Sequence, residues 1–151
     1  MSRLLAISVA STRKGEIQIL DEVEAHIHQG LEGDRFRDYS ANAEKPNLAA
    51  VTFVEIEKLR DYEHEFKKVI SHEDIRRNLL TEGVDLNALV DQEFSVGEVI
   101  FKGTEWCEPC AYLARRTQHE ILKGLLHKGG LRAQILKGGT IRKGDLIARL
   151  K

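Results

Sequence analysis

Both cysteines of this 151-residue chain lie in one short stretch, Trp106-Cys107-Glu108-Pro109-Cys110. A thiol placed there could act as a nucleophile, a redox partner or a soft metal ligand. The stretch follows an alternating apolar segment, Glu98-Val99-Ile100-Phe101-Lys102-Gly103, and precedes Ala111-Tyr112-Leu113-Ala114-Arg115-Arg116. That pattern predicts a strand, a turn and then a helix. Pro109 would stand at or near the first helical position, where its missing N–H costs nothing. Cys110 would fall in the first turn, where unpaired backbone N–H groups and the helix dipole favour a negatively charged sulfur.

The pentapeptide differs by one residue from the Trp-Cys-Gly-Pro-Cys of thioredoxins, so a dithiol redox module is one reading. Against it, only 41 residues follow Cys110 and none is proline, and the βαβ context that such a motif requires is missing. A structural zinc site would need two more ligands. His119 and His127 are eight apart on a predicted helix and only loosely share a face. Two buried, inert thiols are the plain alternative.

Other groups invite the same weighing. His26 and His28 share one face of a predicted strand, a spacing used by some metal sites but more common on a solvated face. Arg76-Arg77-Asn78 could grip an anion, because guanidinium forks match phosphate or carboxylate. Two adjacent arginines are also ordinary surface charge. Gly30-Leu31-Glu32-Gly33-Asp34-Arg35 could bring backbone N–H groups close to a ligand, or be no more than a turn.

Glycine punctuates the elements that must position these residues. Twelve glycines against two prolines separate short apolar runs, which is the rhythm of a β-rich fold. Strands are predicted at Leu4 to Ala10, Val23 to His28, Leu48 to Phe53, Val99 to Trp106, Leu131 to Leu136 and Leu146 to Leu150. Thr52-Phe53-Val54-Glu55 reads as a capping box opening a helix through Ile56, Leu59, Tyr62 and Phe66. A second helix is predicted from about Thr117 through Ile121, Leu122, Leu125 and Leu126, stopping at Lys128-Gly129-Gly130. The polar stretch Asp38 to Asn47 is the best candidate for a flexible loop. Short strands with a few inserted helices suggest a β-barrel carrying peripheral helices, in one domain spanning 1–151.

Composition narrows the partners. Basic and acidic side chains number 23 and 24, so net charge argues for neither nucleic acid nor an anionic membrane. Two cysteines three apart cannot make a secreted-type disulfide framework, and a reducing, cytoplasmic location is expected. The apolar run near the N-terminus is too short for a signal peptide and no run is long enough to span a bilayer. No lysine stands in a recognisable Schiff-base context, so pyridoxal phosphate is not expected to bind. Oligomeric state is not legible.

Taken together, Gly30 to Arg35, Arg76-Arg-Asn-Leu-Leu-Thr-Glu-Gly83, Ser95-Val-Gly-Glu-Val-Ile100, Pro109-Cys110 and Gly130-Leu-Arg-Ala133 with Gly144-Asp145 resemble the MOSC domain found at the C-terminus of molybdenum-cofactor sulfurases. The blocks occur in the family's order from about residue 4 to residue 150. The resemblance implies a MOSC-type β-barrel and a role in molybdenum-cofactor or sulfur chemistry. It implies that Cys110, matching the family's cysteine, carries sulfur as a persulfide or binds the metal of the pterin cofactor. Family members of the amidoxime-reducing type show Arg-Pro-Asn where this chain has Arg76-Arg77-Asn78. By that match Arg76 and Asn78 would contact the cofactor, and Arg77 departs from the proline.

Arg35 and Arg132, each in a glycine-flanked block, are further candidates for the same anion pocket, or else for structural ion pairs. Cys107 lies outside the matched block and could resolve a persulfide or oxidised sulfur on Cys110. Three functions follow as expectations: binding of molybdenum cofactor or carriage of sulfur on Cys110; molybdenum-dependent reduction of N-hydroxylated compounds; and a dithiol redox or metal module. The full sulfurases begin with a large desulfurase domain for which this sequence has no room. A separate cysteine desulfurase would supply sulfur, or an electron-donor reductase would supply electrons.

Overall fold

The computed structural model describes residues 1–150. The chain opens with β1 (Arg3–Val9), followed by the short strands β2 (Gln18–Leu20), β3 (Glu22–His26) and β4 (Gly30–Leu31). After an irregular stretch come β5 (Val51–Glu55), helix α1 (Ile56–Phe66) and β6 (Leu79–Glu82). A single 3-10 turn at Leu86–Leu89 leads to β7 (Glu93–Val96) and β8 (Val99–Trp106). Two short helices, α2 (Ala111–Arg116) and α3 (Ile121–Gly124), precede β9 (Leu131–Lys137), β10 (Gly139–Arg142) and β11 (Ile147–Arg149).

Eight strands form one sheet in the order β11-β7-β8-β9-β5-β6-β1-β2, and β10-β3-β4 form a second. Every strand pair is antiparallel except β5 with β6, whose crossover is α1. The main sheet curls until β1 meets the approach to β11. There Arg3 bridges Leu146, the Leu4 N–H donates to the Asp145 carbonyl at 2.8 Å, and the Ile147 N–H donates to the Ser2 carbonyl at 2.9 Å. This seam is too short to count as a ladder. The expected barrel is therefore a curled sheet fastened at one end, with three helices outside it.

The concave interior holds one apolar cluster. Phe53, Phe94 and Phe101 meet there with ring centroids 5.1 to 5.6 Å apart, among Leu4, Ile7, Leu79 and Leu131. A second cluster lies outside the sheet, where Val54 and Leu80 pack under Leu59, Tyr62, Leu113, Ile121 and Leu125 of the helical segments. Strand β5 is buried from end to end because Val51 and Phe53 face the first cluster and Val54 the second. A strand covered on both faces loses its polar alternation.

That burial explains one misreading. Thr52-Phe53-Val54-Glu55 is strand and not a capping box; α1 begins after Glu55, which makes no side-chain cap. The second predicted helix, from about Thr117 to Lys128, shrinks to α3 (Ile121–Gly124), and the helix expected after Pro109-Cys110 is α2. Thr117 leaves helical geometry at φ −118° and ψ −91°, and its hydroxyl donates back to the Leu113 carbonyl at 2.6 Å, which ends α2 early. Residues 38–47 form neither helix nor strand, as expected. They are tied down where the Asn47 amide donates to the carbonyls of Gln29 at 2.8 Å and Phe36 at 2.6 Å. Among the described residues no helix is long and apolar enough to cross a membrane.

Candidate anion and thiol site

A cavity of about 620 Å³ opens where β1, the turn before β6 and the segment after β8 converge. Its wall carries Cys110 together with Arg13, Arg35, Arg76, Arg77 and Arg132. Glu108 is the one acidic residue lining it. That carboxylate is already engaged: it accepts the His127 N–H at 2.6 Å and pairs with His127 Nδ1 at 2.7 Å. Sequence spacing put these arginines anywhere from one to 119 residues apart; the fold brings five to one surface.

Cys110 is exposed, whereas Cys107 is buried and does not line the cavity. Of Cys110 and its possible helper Cys107, only Cys110 presents an accessible sulfur at this surface. Cys110 is the residue immediately before α2, in extended geometry at φ −124° and ψ 164°, and not inside the first turn as its spacing predicts. A six-residue helix offers little dipole. Positive charge here comes from arginines.

The arginines divide by what holds them. Arg76 has left-handed backbone geometry, φ 59°. Its guanidinium donates to the carbonyls of Gly15 at 2.9 Å, Thr12 at 3.2 Å and Arg13 at 2.9 Å. It thus pins the loop carrying Ser11, Thr12 and Arg13 to the cavity. Arg77 runs the other way, donating to the carbonyls of Gly129 and Ile75 at 2.8 Å and of Cys107 at 3.0 Å. Burial lowers the proton affinity of both guanidinium groups.

Arg35 has one carboxylate partner, Asp34, at 3.2 Å, and donates to the Arg76 carbonyl at 3.2 Å. Asp34 in turn accepts the Ala10 N–H at 3.1 Å, which ties the Gly30 to Arg35 segment to the end of β1. Burial, then the repulsion of Arg76, Arg132 and Arg77, pushes Arg35 down from its ordinary value, against the pull of Asp34. Arg132 is looser. Its Nε lies 3.8 Å from Glu105, and its guanidinium shares the Phe36 ring with Arg35, at 5.4 and 4.2 Å from the centroid. Among the described residues Arg13 makes no side-chain hydrogen bond. Arg13, Arg132 and part of Arg35 are therefore the charges free to meet a ligand.

Asn78 is the predicted cofactor contact that the fold does not bring to this surface. It is 1% exposed, and its amide joins three strands: Oδ1 accepts the Thr52 N–H and hydroxyl, and Nδ2 donates to the Ser8 carbonyl. It supports the cavity floor from below. Arg13, in contrast, escaped the sequence reading; its signal was the polar, basic run Ser11-Thr12-Arg13-Lys14-Gly15 directly after an apolar strand. His26 pairs with Glu32 at 3.1 Å, and His28 has left the strand with φ 64°. No group of three or more His, Cys, Asp or Glu converges among the described residues, so His119 and His127 assemble no metal cage with the cysteines.

Residues 20–148 match the MOSC domain. Among solved structures, the YuaD protein from Bacillus subtilis is similar, with TM-score 0.81 and 17% identity over 97% of this chain and 94% of that one. YiiM from Geobacillus stearothermophilus gives 0.76 and 12%, covering 100% and 76%. YiiM from Escherichia coli gives 0.68 and 17%, covering 99% and 70%. At these identities the likeness is one of fold. No curated protein matches by sequence. With the family's blocks carried in order on this fold, the chain belongs to the MOSC domain family.

Proposed function

We propose that the cavity binds molybdenum cofactor, with Cys110 Sγ as a ligand to the metal and the arginine wall holding the cofactor's phosphate. The observation that carries this reading is the meeting of one accessible thiol and five arginines on a single cavity of about 620 Å³, a volume suited to a ligand of drug size. The donor set fits the group: a soft sulfur for a thiophilic metal and guanidinium forks for phosphate oxygens. When bound, the cofactor would supply oxygen-atom or sulfur chemistry at molybdenum. Arg13 and Arg132 would bind and orient its anionic end, Arg35 would add a third donor, and Arg76 would hold the loop that carries Arg13.

The exposure of Cys110 favours a second use of the same sulfur. A thiol open to solvent can receive sulfane sulfur from a separate cysteine desulfurase, whereas a buried one cannot be reached. A partner reductase would be needed instead if the bound cofactor reduces N-hydroxylated compounds.

The test is elemental analysis of protein made in a cofactor-competent host, together with mass spectrometry after incubation with a cysteine desulfurase and cysteine. Near-stoichiometric molybdenum that is lost in Cys110→Ser supports the cofactor reading. Added sulfur on Cys110 without molybdenum shifts the function to sulfur carriage. Neither metal nor added sulfur overturns both.

A further inference from the structure

Arg77 is 5% exposed, yet no carboxylate lies within ion-pair distance of it among the described residues. A buried charge without a counterion is costly unless its donors are satisfied and its charge is met elsewhere. The donors are satisfied by backbone. Nε reaches the Gly129 carbonyl at 2.8 Å, one terminal nitrogen reaches Ile75 at 2.8 Å, and the other reaches Cys107 at 3.0 Å and Glu108 at 3.5 Å. Two remote segments, at Gly129 and at Cys107-Glu108, thus meet Arg77's own turn at one planar group, and one of them ends at Cys110.

We infer that Arg77 is a positioning residue of the thiol site: its guanidinium clamps the Cys107-Glu108 backbone against Gly129 and so fixes where Cys110 Sγ stands among the cavity arginines. This rests on the reading of Cys110 as the working sulfur. The geometry of the fork is what the role requires. A lysine at this position keeps the charge, but its ammonium cannot reach all of these carbonyls in one plane. Gly129 belongs to the same clamp, since a Cβ there would press on the Cys107 carbonyl and come within 3.3 Å of the Arg77 guanidinium.

The experiment is alkylation of the native, full-length protein with anionic iodoacetate and neutral iodoacetamide, read at each cysteine by peptide mass spectrometry. Both reagents attack the same sulfur, so their rate ratio cancels general exposure and reports the charge that Cys110 faces. Wild-type protein is expected to react at Cys110 alone and to favour iodoacetate. In Arg77→Lys the ratio at Cys110 falls about threefold and Cys107 becomes alkylated.

Gly129→Ala retains Arg77 and strains the clamp from the opposite side, so it shows the same two changes should Arg77→Lys fail to fold. A folded Arg77→Lys or Gly129→Ala protein with the wild-type ratio and an unreactive Cys107 overturns the inference. Alkylation needs no molybdenum. Absence of metal from wild-type protein therefore counts against the proposed function, and unchanged alkylation in the variants counts against the clamp.

Discussion

Thr52 and Asn78 bond reciprocally across β5 and the start of β6. The Thr52 hydroxyl donates to Asn78 Oδ1 at 3.1 Å while accepting the Asn78 N–H at 2.9 Å, and the Thr52 N–H donates to the same Oδ1 at 3.0 Å. With the Asn78 amide also donating to Ser8 at 3.0 Å, one side chain ties β1, β5 and β6 at the point where they carry the cavity. Removing it strands buried partners on two strands, which is costlier than the bonds themselves are stabilising.

Asn78→Ala is therefore expected to destabilise the fold by about 3 kcal/mol, measured by urea denaturation. A loss under about 1 kcal/mol would show that the amide is not a structural tie.

Arg132 and Arg13 present the opposite case, being loosely held at the cavity wall. Arg132→Gln and Arg13→Gln should each weaken binding of a phosphate-bearing ligand about tenfold while leaving the melting temperature within a degree or two. Ligand titration at two salt concentrations checks this, because the charge contribution should shrink as salt rises. Equal affinity in wild type and both variants would exclude the arginine wall from binding.

Cys110→Ser should abolish loading with sulfur or molybdenum, whereas Cys107→Ser should keep it. The cost of Cys107→Ser is expected in stability, about 1 kcal/mol, since a hydroxyl replaces a buried thiol. Loss of loading in both variants to the same extent, with Cys107→Ser still folded, would restore the dithiol reading.

Two buried titrating groups give opposite pH slopes. Burial raises the Glu55 carboxyl above 4.5, so the native state holds its proton longer than the unfolded chain and stability declines as pH rises from 4.5 through the raised native value. Burial lowers His72 below 6.5, so its contribution is present above pH 6.5 and is lost as pH falls through the lowered native value. Melting temperature against pH should lose the alkaline-going decline in Glu55→Gln and the acid-side decline in His72→Gln. Curves parallel to wild type would show that neither group is linked to folding.

Much of the fold was legible in local pattern. Val99 to Thr104 alternates buried and half-exposed residues as its sequence does, and the Pro109-Cys110 step does precede a helix. Strands β2, β4, β6, β7 and β10 escaped notice because two to four residues carry little period, and the end of β5, predicted as strand only to Phe53, was misread as a helix cap because both its faces are covered.

Residue types and order thus determined the family, the β-rich class and the thiol to watch. They could not determine which arginine holds backbone and which faces a ligand. Arg76 and Arg77 are neighbours in sequence, yet a left-handed φ of 59° at Arg76 sends their guanidinium groups to carbonyls 61 to 64 residues away on one side and 30 to 52 on the other. A donor's role depends on which acceptors the fold brings within about 3 Å of it. Only the closed tertiary structure supplies those acceptors, and it made Arg77 and Asn78 framework while leaving Arg13, Arg132 and Cys110 exposed to whatever enters.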